Sequence, residues 1–586
     1  MSRRPTFGPA VVALLLWAVG DKLTHAGRLA WESPGDGMAR LDRVSPLLSE
    51  EFGGDRWWHL STHTTDLLGG LALLLAALMV LAYQRAGRQT QRIGEEHGSA
   101  TWGSKRDMSP FSPRKGEGGI AFTATETLAM DTYRTRRNLN CAVIGSSGSG
   151  KSRSFVLPNL LSGNGASFAV TDPKGELHRA AGAALEADGY DVRCLNLVTP
   201  RLSEGFNCME YIDREQPEVD IAGLAETIVN NTEGQKTPGK DAFWDRAERA
   251  LLTSLAAYVY FTGNLDGKDG EPPSLVGVVD LSKQLQASEE DEGYESGVDR
   301  KMADVRLLLE DWSDLPGMTK EESDHVRDGL HFATSQYRIF EQGAGETKKG
   351  VIISVGVRLA ILDVPDVRRM LARDTLALDR LGQEKGAVFC LLPDTNRTFK
   401  FVAALFWRSI FNTNIYSADH SPEGRLAVPL QCYLDEFANI GTIPDFEQLI
   451  ATIRSRGISA AIIVQALAQL KATYKDQWET IMGNCDSTLF LGGTEPSTLE
   501  WLSKRLGNET IKVEETSQSF GSHGSWSRSL RNVKRELMTP DELGRLPESE
   551  CIYLLRGVPP FRSRKAALHL GAGQRHGSRQ MTSRTR

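Results

Sequence analysis

The chain lacks paired cysteines. It has seven of them, with no Cys-x-x-Cys pair and no histidine at metal-ligand spacing: Cys141, Cys194, Cys208, Cys390, Cys432, Cys485 and Cys551. Structural zinc sites need closely spaced thiolate and imidazole ligands, and disulfide frameworks belong to short secreted domains. The sequence therefore predicts neither kind of site. We expect these cysteines to be reduced core residues of a cytosolic region.

The chain also lacks an excess of basic residues. It has 68 Lys and Arg against 75 Asp and Glu, a net charge of −7. Coating nucleic acid requires clustered basic side chains that neutralise phosphates. The composition thus excludes a generally basic DNA-binding surface, so any contact with DNA must be local or shared among subunits. At 586 residues, the chain is long enough for roughly two to four domains.

Long uncharged runs are few and lie near the beginning of the chain. Residues 67–83 carry no charge, which is about the lower limit for a helix that crosses a hydrocarbon core of ~30 Å. Residues 7–20 form an earlier run that resembles the apolar part of a signal peptide, but no small-residue cleavage site follows it. We predict two transmembrane helices, with residues 21–66 outside the cytoplasm and both termini inside. The positive-inside bias is modest, because 21–66 holds five Lys or Arg against eight acidic residues.

Beyond a polar linker, short apolar runs alternate with helical stretches. Such runs are typical of strands buried on both faces of a parallel sheet, and the alternation predicts a wound α/β sheet. The segment 206–345 interrupts the alternation with helical signals, which indicates an inserted all-α domain. The Ser- and Gly-rich stretch 517–529 is predicted to be a mobile loop. The predicted strands cover residues 141–144, 167–171, 387–392, 430–434, 461–464, 488–491 and 552–555.

A phosphate-binding loop follows the first of these strands. It matches the pattern GxxxxGK[ST] and consists of Gly145, Ser146, Ser147, Gly148, Ser149, Gly150, Lys151 and Ser152. Glycines let backbone N–H groups curl around phosphates, the lysine reaches the β and γ oxygens, and the serine hydroxyl is a ligand of Mg²⁺. The pattern predicts that ATP and Mg²⁺ bind here.

An acidic pair ends the predicted strand 430–434. Asp435 is positioned to hold Mg²⁺, and Glu436 to polarise the attacking water. Because a nucleotide switch needs no such pair, we predict hydrolysis. Gln465 ends the predicted strand 461–464 and is either a sensor of the γ-phosphate or an ordinary strand-end glutamine. Arg454 and Arg456 are either surface residues or a basic pair that enters the site of a neighbouring subunit.

Several segments in a fixed order resemble the TraG/TraD-type coupling proteins of conjugative type IV secretion, in particular the branch found in Gram-positive conjugative elements. They are VIGSSGSGKSRSFVLPNLL, VTDPKGEL, CYLDEFANIG, IATIRSRGIS, IIVQALAQL and GNCDSTLFLGG. The resemblance implies a RecA-like sheet, a homo-hexameric ring on the cytoplasmic face of the cell membrane, and DNA with bound relaxase as the substrate. It also implies secretion-channel components as partners, Gln465 as the sensor and Arg454 as the finger in trans.

The expected organisation is a membrane anchor (1–84), a linker (85–100), a RecA-like nucleotide-binding domain in two parts (101–205 and 346–560), the helical insert (206–345) and a polar tail (561–586). Two other functions stay open. One is a DNA- or protein-export translocase of the FtsK-like type, which normally has more spans or tandem modules. The other is a non-hydrolysing docking receptor, against which Lys151, Asp435 and Glu436 argue.

Overall fold

The computed structural model describes residues 8–54, 59–89, 94–232, 242–263, 272–291, 294–315, 317–393, 397–518 and 526–567. The chain divides into two compact units, one of residues 1–99 and 510–535 and the other of residues 100–509 and 536–586. Of the predicted polar tail, residues 568–586 lie outside the described residues, as does Phe7 of the first predicted span.

The N-terminal part of the first unit consists of three helices, Gly8–Glu32 (α1), Gly37–Phe52 (α2) and Thr64–Gln89 (α3). Helices α1 and α3 approach each other closely through glycines. A Cβ added to Gly20 would lie 2.8 Å from the Cα of Gly70, and one added to Gly70 would lie 2.5 Å from the backbone oxygen of Trp17. Small residues of this kind let the backbones of membrane helices pack against each other.

Among the described residues, one helix is long and apolar enough to cross a membrane, and it covers residues Thr64–Tyr83 of α3. This agrees with the predicted span 67–83, and large apolar side chains such as Leu75 and Met79 are exposed along it. Residues 8–20 of the predicted span 7–20 lie within α1, which is not a second candidate because it continues through Asp21 and Lys22 to Glu32. The described residues thus contain one candidate for the two predicted transmembrane helices, and the pair of spans stays a prediction. Helix α3 also runs to Gln89, into the segment predicted to be linker.

Buried charged groups join α1 to the beginning of α3. The Asp66 carboxylate accepts hydrogen bonds from Arg28 Nη2 at 3.0 Å and from Ser61 Oγ at 2.7 Å. Lys22 Nζ donates to Glu51 Oε2 of α2 at 2.9 Å. Because a charge buried without a partner is costly, these pairs specify how the three helices are arranged.

The second unit begins with a small two-stranded sheet and then the first strands of the main sheet. Its elements up to residue 196 are Lys105–Met108 (α4), Gly119–Ala121 (β1), Thr127–Ala129 (β2), Thr132–Thr135 (α5), Cys141–Ile144 (β3), Leu157–Leu160 (α6, preceded by the π-helix Ser152–Val156), Ser167–Asp172 (β4), Glu176–Ala187 (α7) and Asp191–Asn196 (β5).

A helical segment separates β5 from the next strand. Its helices are Pro217–Thr232 (α8), Ala242–Gly263 (α9), Leu275–Ser282 (α10), Gly297–Glu310 (α11), Lys320–Glu341 (α12), Gly345–Leu359 (α13) and Pro365–Ala372 (α14). Helices α13 and α14 follow the predicted end of the insert at residue 345, and the helices share one hydrophobic core with a face of the sheet. The boundaries of the insert as a separate domain remain predictions.

The remaining elements alternate between strands and helices. They are Gly386–Leu391 (β6), Lys400–Asp419 (α15), Leu430–Leu434 (β7), Phe446–Thr452 (α16), Ile458–Val464 (β8), Leu467–Tyr474 (α17), Trp478–Gly483 (α18), Ser487–Phe490 (β9), Pro496–Leu506 (α19), Asn508–Gln518 (β10), Trp526–Glu536 (β11), Pro540–Gly544 (α20), Glu550–Leu555 (β12) and Phe561–Arg564 (β13).

The main sheet has nine strands in the order β13-β12-β9-β3-β8-β7-β4-β6-β5. Strand β3 pairs in parallel with both β8 and β9, and β12 pairs antiparallel with β9. Each of the seven predicted strands coincides with a strand of this sheet, so the predicted wound α/β sheet is confirmed. The sheet is mixed, however, because β12 and β13 form an antiparallel edge.

Alternate residues of the central strands face two hydrophobic cores. Ala142 and Ile144 belong to the core that the helical segment covers, whereas Cys141 and Val143 belong to the core on the other face. All seven cysteines are free and six are buried, with Cys194 half-buried, as expected of core residues.

Strands β10 and β11 form a separate two-stranded sheet, which we call the ribbon. The prediction of a mobile loop over residues 517–529 is wrong for 517–518 and 526–529, which belong to these strands, and residues 519–525 lie outside the described residues. The alternation of Ile511 and Val513 with charged neighbours is a strand signal that the abundance of serine and glycine concealed.

Candidate nucleotide site

The phosphate-binding loop is held from both sides by the neighbouring strands. Gly145 N–H donates to Val464 O at the end of β8 at 3.1 Å, and Ser146 N–H donates to Gly492 O just beyond β9 at 2.9 Å. Since the carboxyl ends of parallel strands meet at one edge of a sheet, the loop lies at the centre of that edge. We call it the carboxyl edge.

Three glycines of the loop are required by its conformation. Gly148 and Gly150 have φ angles of 78° and 88°, in the left-handed region that side chains disfavour. A Cβ added to Gly145 would lie 2.3 Å from Ser149 Oγ. At positions 148 and 150 the sequence pattern therefore corresponds to a backbone conformation that favours glycine, and at position 145 it corresponds to the close approach of Ser149.

The loop contains polar groups suited to an anion. Lys151 Nζ donates to Gly145 O at 2.7 Å and to Ser146 O at 3.2 Å, and burial lowers the pKa of this lysine while Asp435 and Glu436 oppose the shift. Among the described residues, the buried Ser149 Oγ has no hydrogen-bond partner. A lysine folded onto carbonyl oxygens and an orphaned hydroxyl both fit a loop that binds phosphate oxygens.

The residues predicted to hold Mg²⁺ touch each other. Ser152 Oγ donates to Asp435 Oδ2 at 3.0 Å, and Asp435 follows the end of β7, next to β8 in the sheet. The Asp435 carboxyl is only 4 % exposed, and this burial raises its pKa to about 6 against the opposing effects of the Ser152 hydrogen bond and Lys151. A hydroxyl and a carboxylate suit Mg²⁺, which otherwise takes its ligands from nucleotide and water oxygens.

Glu436 has an unusual backbone and a fixed side chain. Its φ and ψ are both 50°, a left-handed conformation that costs a non-glycine residue on the order of 1 kcal/mol. Asn439 Nδ2 donates to Glu436 Oε2 at 2.7 Å and thereby orients the carboxylate. Asn439 lies within the segment CYLDEFANIG, but no sequence pattern marks it as a site residue.

Gln465 lies next to the loop. It lines a cavity of about 170 Å³ together with Ser146, Ser147 and Glu495. Its position follows from the pairing of β8 with β3, which places Val464 opposite Ile144. The structure therefore brings together Gln465, the loop, Asp435 and Glu436.

Arg454 lies at the other edge of the sheet, in the turn Ile453–Arg456 that precedes β8. Seven residues of β8 separate this turn from Gln465, a distance of roughly 23 Å at the rise of a strand. Arg454 is exposed, whereas Arg456 donates from Nε and Nη2 to the Asp419 carboxylate at 2.7 and 2.8 Å. Arg454 is therefore not part of the site within its own chain.

One further lysine reaches the loop and was missed by the sequence analysis. Lys565, directly after β13, donates from Nζ to Ser149 O at 2.8 Å, and burial lowers its pKa. Strand β13 runs parallel to β3 because two antiparallel pairings, β13 with β12 and β12 with β9, separate them. Its carboxyl end therefore reaches the same edge of the sheet. No sequence pattern links residue 565 to residue 149, so only the topology reveals this contact.

Comparisons with known proteins agree with these observations. Residues 122–571 match the protein family described as Type IV secretory system Conjugative DNA transfer. The chain is 25 % identical over 437 residues to the probable conjugal transfer protein TraG of Sinorhizobium fredii, covering 72 % of this chain and 61 % of that protein. It is 23 % identical over 530 residues to the protein VirD4 of Rhizobium radiobacter, covering 86 % and 69 %. The match thus spans about three fifths of the length of the first of these relatives.

A solved structure shares the fold. The plasmid coupling protein TrwB in complex with ADP and Mg²⁺ aligns with a TM-score of 0.55 at 15 % sequence identity, covering 81 % of this chain and 94 % of that one. At this identity the likeness establishes the fold of the nucleotide-binding sheet and not its activity.

Proposed function

Since this chain belongs to the type IV secretory system conjugative DNA transfer family, we propose that it is a membrane-anchored ATPase that couples a relaxase–DNA substrate to a type IV secretion channel. The observation that carries the proposal is the assembly of Lys151, Ser152, Asp435, Glu436 and Gln465 at one edge of a sheet whose fold TrwB shares. Because many NTPases share this fold, the fold alone does not identify a function. We infer the substrate from the family and the chemistry from the residues of the site.

The groups of this edge have distinct roles in the proposal. Lys151 and the backbone N–H groups of the loop bind the phosphates of ATP, and Ser152 and Asp435 hold Mg²⁺, which supplies charge neutralisation at the phosphate oxygens. Glu436, oriented by Asn439, accepts a proton from the attacking water. Gln465 lies where it can contact the γ-phosphate and respond to its loss.

Charge that develops on the transferred phosphoryl group requires a further cation, which we assign to Arg454 of a neighbouring copy. The exposed position of Arg454 at the opposite edge supports this assignment, because its own site is roughly 23 Å away. In a ring, the edge that carries Arg454 would face the carboxyl edge of the next copy. A homo-hexamer is the ring that the family resemblance implies.

The anchor places the ATPase at the cytoplasmic face of the cell membrane. The apolar segment Thr64–Tyr83 supports one span. We propose that α1 supplies a second one, since it packs against α3 through the Gly20–Gly70 contact and is joined to it by the Arg28–Asp66 pair. The region between the two spans would then lie outside the cytoplasm. DNA with bound relaxase and the secretion-channel components are the proposed partners on the two sides of the membrane.

The test is ATP hydrolysis by the detergent-purified full-length protein, measured with and without single- and double-stranded DNA. We expect hydrolysis to be stimulated by DNA and to be lost in Lys151→Ala. Hydrolysis that is lost in Lys151→Ala but is indifferent to DNA would keep the ATPase and favour protein cargo. Equal phosphate release by the wild type and Lys151→Ala would contradict the assignment of the site.

A further inference from the structure

We propose that one face of the ribbon, formed by β10 and β11, lies on the anionic surface of the cytoplasmic leaflet of the membrane. The inference goes beyond ATP-driven transfer and rests on the proposed membrane anchor. It concerns how the membrane is engaged by a part of the chain more than 400 residues beyond the spans.

The ribbon has no third strand. Among the described residues, β10 and β11 form a sheet of two strands, to which the chain after α3 adds one backbone hydrogen bond, from Ala100 N–H to Asn508 O at 2.9 Å. A two-stranded sheet is marginally stable in water. Two of its large apolar side chains are nevertheless exposed, Trp526 by 66 % and Leu530 by 70 %. A surface that covers them would stabilise the ribbon.

The exposed apolar residues share a face with basic ones. Arg528 forms an ion pair with Glu514 across the two strands, which places both side chains on one face. Because side chains alternate along a strand, Trp526, Leu530 and Lys534 of β11 lie on that same face, as does Lys512 of β10. An indole, an isobutyl group and three cations, against the carboxylates of Glu514 and Glu536, make this face both apolar and basic.

The ribbon belongs to the same compact unit as the anchor, which comprises residues 1–99 and 510–535. The segment that follows α3 holds it. His97 N–H donates to Thr510 Oγ1 at 3.0 Å, and His97 Nε2 lies 3.1 Å from the Asn532 carbonyl oxygen. These contacts join the base of the ribbon to His97, which follows the apolar segment Thr64–Tyr83 closely in the sequence.

Chain length limits how far the ribbon can be from the bilayer. The apolar segment ends at Tyr83 and α3 at Gln89, which adds about 9 Å of helix. The chain from Gln89 to His97 spans at most ~28 Å when fully extended. The base of the ribbon is therefore within about 40 Å of the membrane boundary. Each strand of the ribbon has eleven residues and is roughly 36 Å long. The ribbon is thus long enough to reach the membrane surface.

The chemistry of the face fits lipid headgroups. Tryptophan favours the membrane–water boundary, where its ring is in the apolar layer and its N–H in the polar one. Lysine and arginine near an anionic leaflet each improve binding by about fivefold, corresponding to ~1 kcal/mol. Aromatic and basic side chains also suit single-stranded DNA, but the ribbon's place in the anchor unit favours the membrane.

The test uses the full-length protein in nanodiscs of either neutral phosphatidylcholine or a mixture with phosphatidylglycerol. A nitroxide is attached at Leu530→Cys on a Cys194→Ser background, since the other six cysteines are buried. Its collision rates with oxygen, which partitions into lipid, and with a water-soluble nickel complex are then compared. The matched control is Ser529→Cys, whose side chain points to the opposite face, and ATP hydrolysis by each variant checks that it is folded.

We expect the label at position 530 to be shielded from nickel in the anionic discs and the label at position 529 to stay accessible. Lys512→Ser and Lys534→Ser should each lower the ratio of nickel-shielded to nickel-accessible label at position 530 by about fivefold. Equal nickel accessibility at the two positions, shielding that ignores lipid charge, or shielding that needs an added single-stranded oligonucleotide would each overturn the proposal. Failure of the protein to enter nanodiscs would instead refute the proposed anchor. This outcome is seen before the accessibility of the nitroxide is measured, so it is distinct from failure of the ribbon proposal.

Discussion

The two edges of the nine-stranded sheet differ in how complete they are. At the carboxyl edge, functional groups are already bonded to one another: Ser152 to Asp435, and Asn439 to Glu436. At the opposite edge, Arg454 is exposed at the start of β8. Under the proposed function, one chain therefore contains the groups that would bind a nucleotide, whereas Arg454, the proposed finger, lies out of reach of the site in its own chain. We therefore expect a single subunit to bind nucleotide and only the assembly to hydrolyse ATP rapidly.

The largest expected effect concerns the exposed edge. Arg454→Ala should reduce ATP turnover by about 1,000-fold, as arginine fingers stabilise the charge of the transferred phosphoryl group, and leave nucleotide affinity nearly unchanged. Arg456→Ala is the matched control, because it removes a guanidinium two residues away that is bound to Asp419. Since exposed ion pairs contribute at most about 1 kcal/mol, this control should change stability slightly and turnover little. The reverse pattern would identify Arg456 as the finger.

Assemblies that contain two different variants test whether the two edges of the sheet act together across subunits. Subunits with Arg454→Ala keep an intact loop, and subunits with Lys151→Ala keep an intact arginine. Mixing two inactive proteins should therefore restore part of the turnover if the arginine acts on the neighbour, because some interfaces then combine both intact groups. Mixtures as inactive as their components would show that each site depends on its own chain.

The next effect concerns the carboxyl edge. Glu436→Gln should lower turnover by about 100-fold or more, since general bases contribute roughly 10²- to 10⁴-fold, while nucleotide stays bound. Glu479→Gln, an exposed carboxylate changed in the same way, should be silent. Turnover and the fraction of protein with trapped nucleotide are measured together. DNA transfer that continues unimpaired in Glu436→Gln would favour the docking receptor over the motor.

A smaller effect should follow pH at the same edge. Burial raises the pKa of Asp435 to about 6, so its carboxylate is deprotonated above that pH and takes up a proton below it. Protonation removes a ligand of Mg²⁺, and Mg²⁺-dependent nucleotide affinity should fall by about tenfold per pH unit below the pKa. Titrations at pH 7, 6 and 5 measure this, and Asp435→Asn should remove the pH dependence. An affinity that is constant from pH 7 to 5 would contradict the role of Asp435.

The smallest effect concerns the lysine that reaches the loop from β13. Lys565→Met keeps the length of the side chain but removes its hydrogen bond to Ser149 O, which should weaken nucleotide binding by about fivefold. Arg562→Met in the same strand is the control, because that residue pairs with Glu550 away from the loop. Unchanged affinity in Lys565→Met would mean that the loop keeps its conformation without this contact.

The sequence was most informative where one short pattern determines one structure. The loop 145–152 has its glycines at left-handed positions, and buried strands such as β7 and β8 stand out because both of their faces are apolar. Strand β5, with the sequence DVRCLN, was missed because it lies at the edge of the sheet and is half-exposed, so its charged residues concealed it. The resemblance to TraG/TraD-type coupling proteins is confirmed by the family match.

The groups that sequence reasoning could not find act through topology or orientation. Lys565 and Ser149 are far apart in the sequence, but they meet because β13 ends at the same edge of the sheet as β3, with only β12 and β9 between the two strands. Asn439 lies in a segment already noted in the sequence, but it resembles an ordinary turn residue there. Only the structure shows its hydrogen bond to Glu436. The length of α1 was missed because its charged residues are paired, Lys22 with Glu51 and Arg28 with Asp66, and hydropathy does not register such pairs.

The pairing of β3 also has a consequence for how the protein is made. Cys141 pairs with Ala461 of β8, about 320 residues later, and with Ser487 of β9. At a synthesis rate of 5–20 residues per second, the ribosome needs between about 15 and 65 seconds to make that stretch. During this interval the nascent chain has an incomplete nucleotide site, while its N-terminal helices have already emerged and can enter the membrane. Under the proposed function, the order of strands in the sheet would thus delay ATP consumption until the N-terminal helices have had time to enter the membrane.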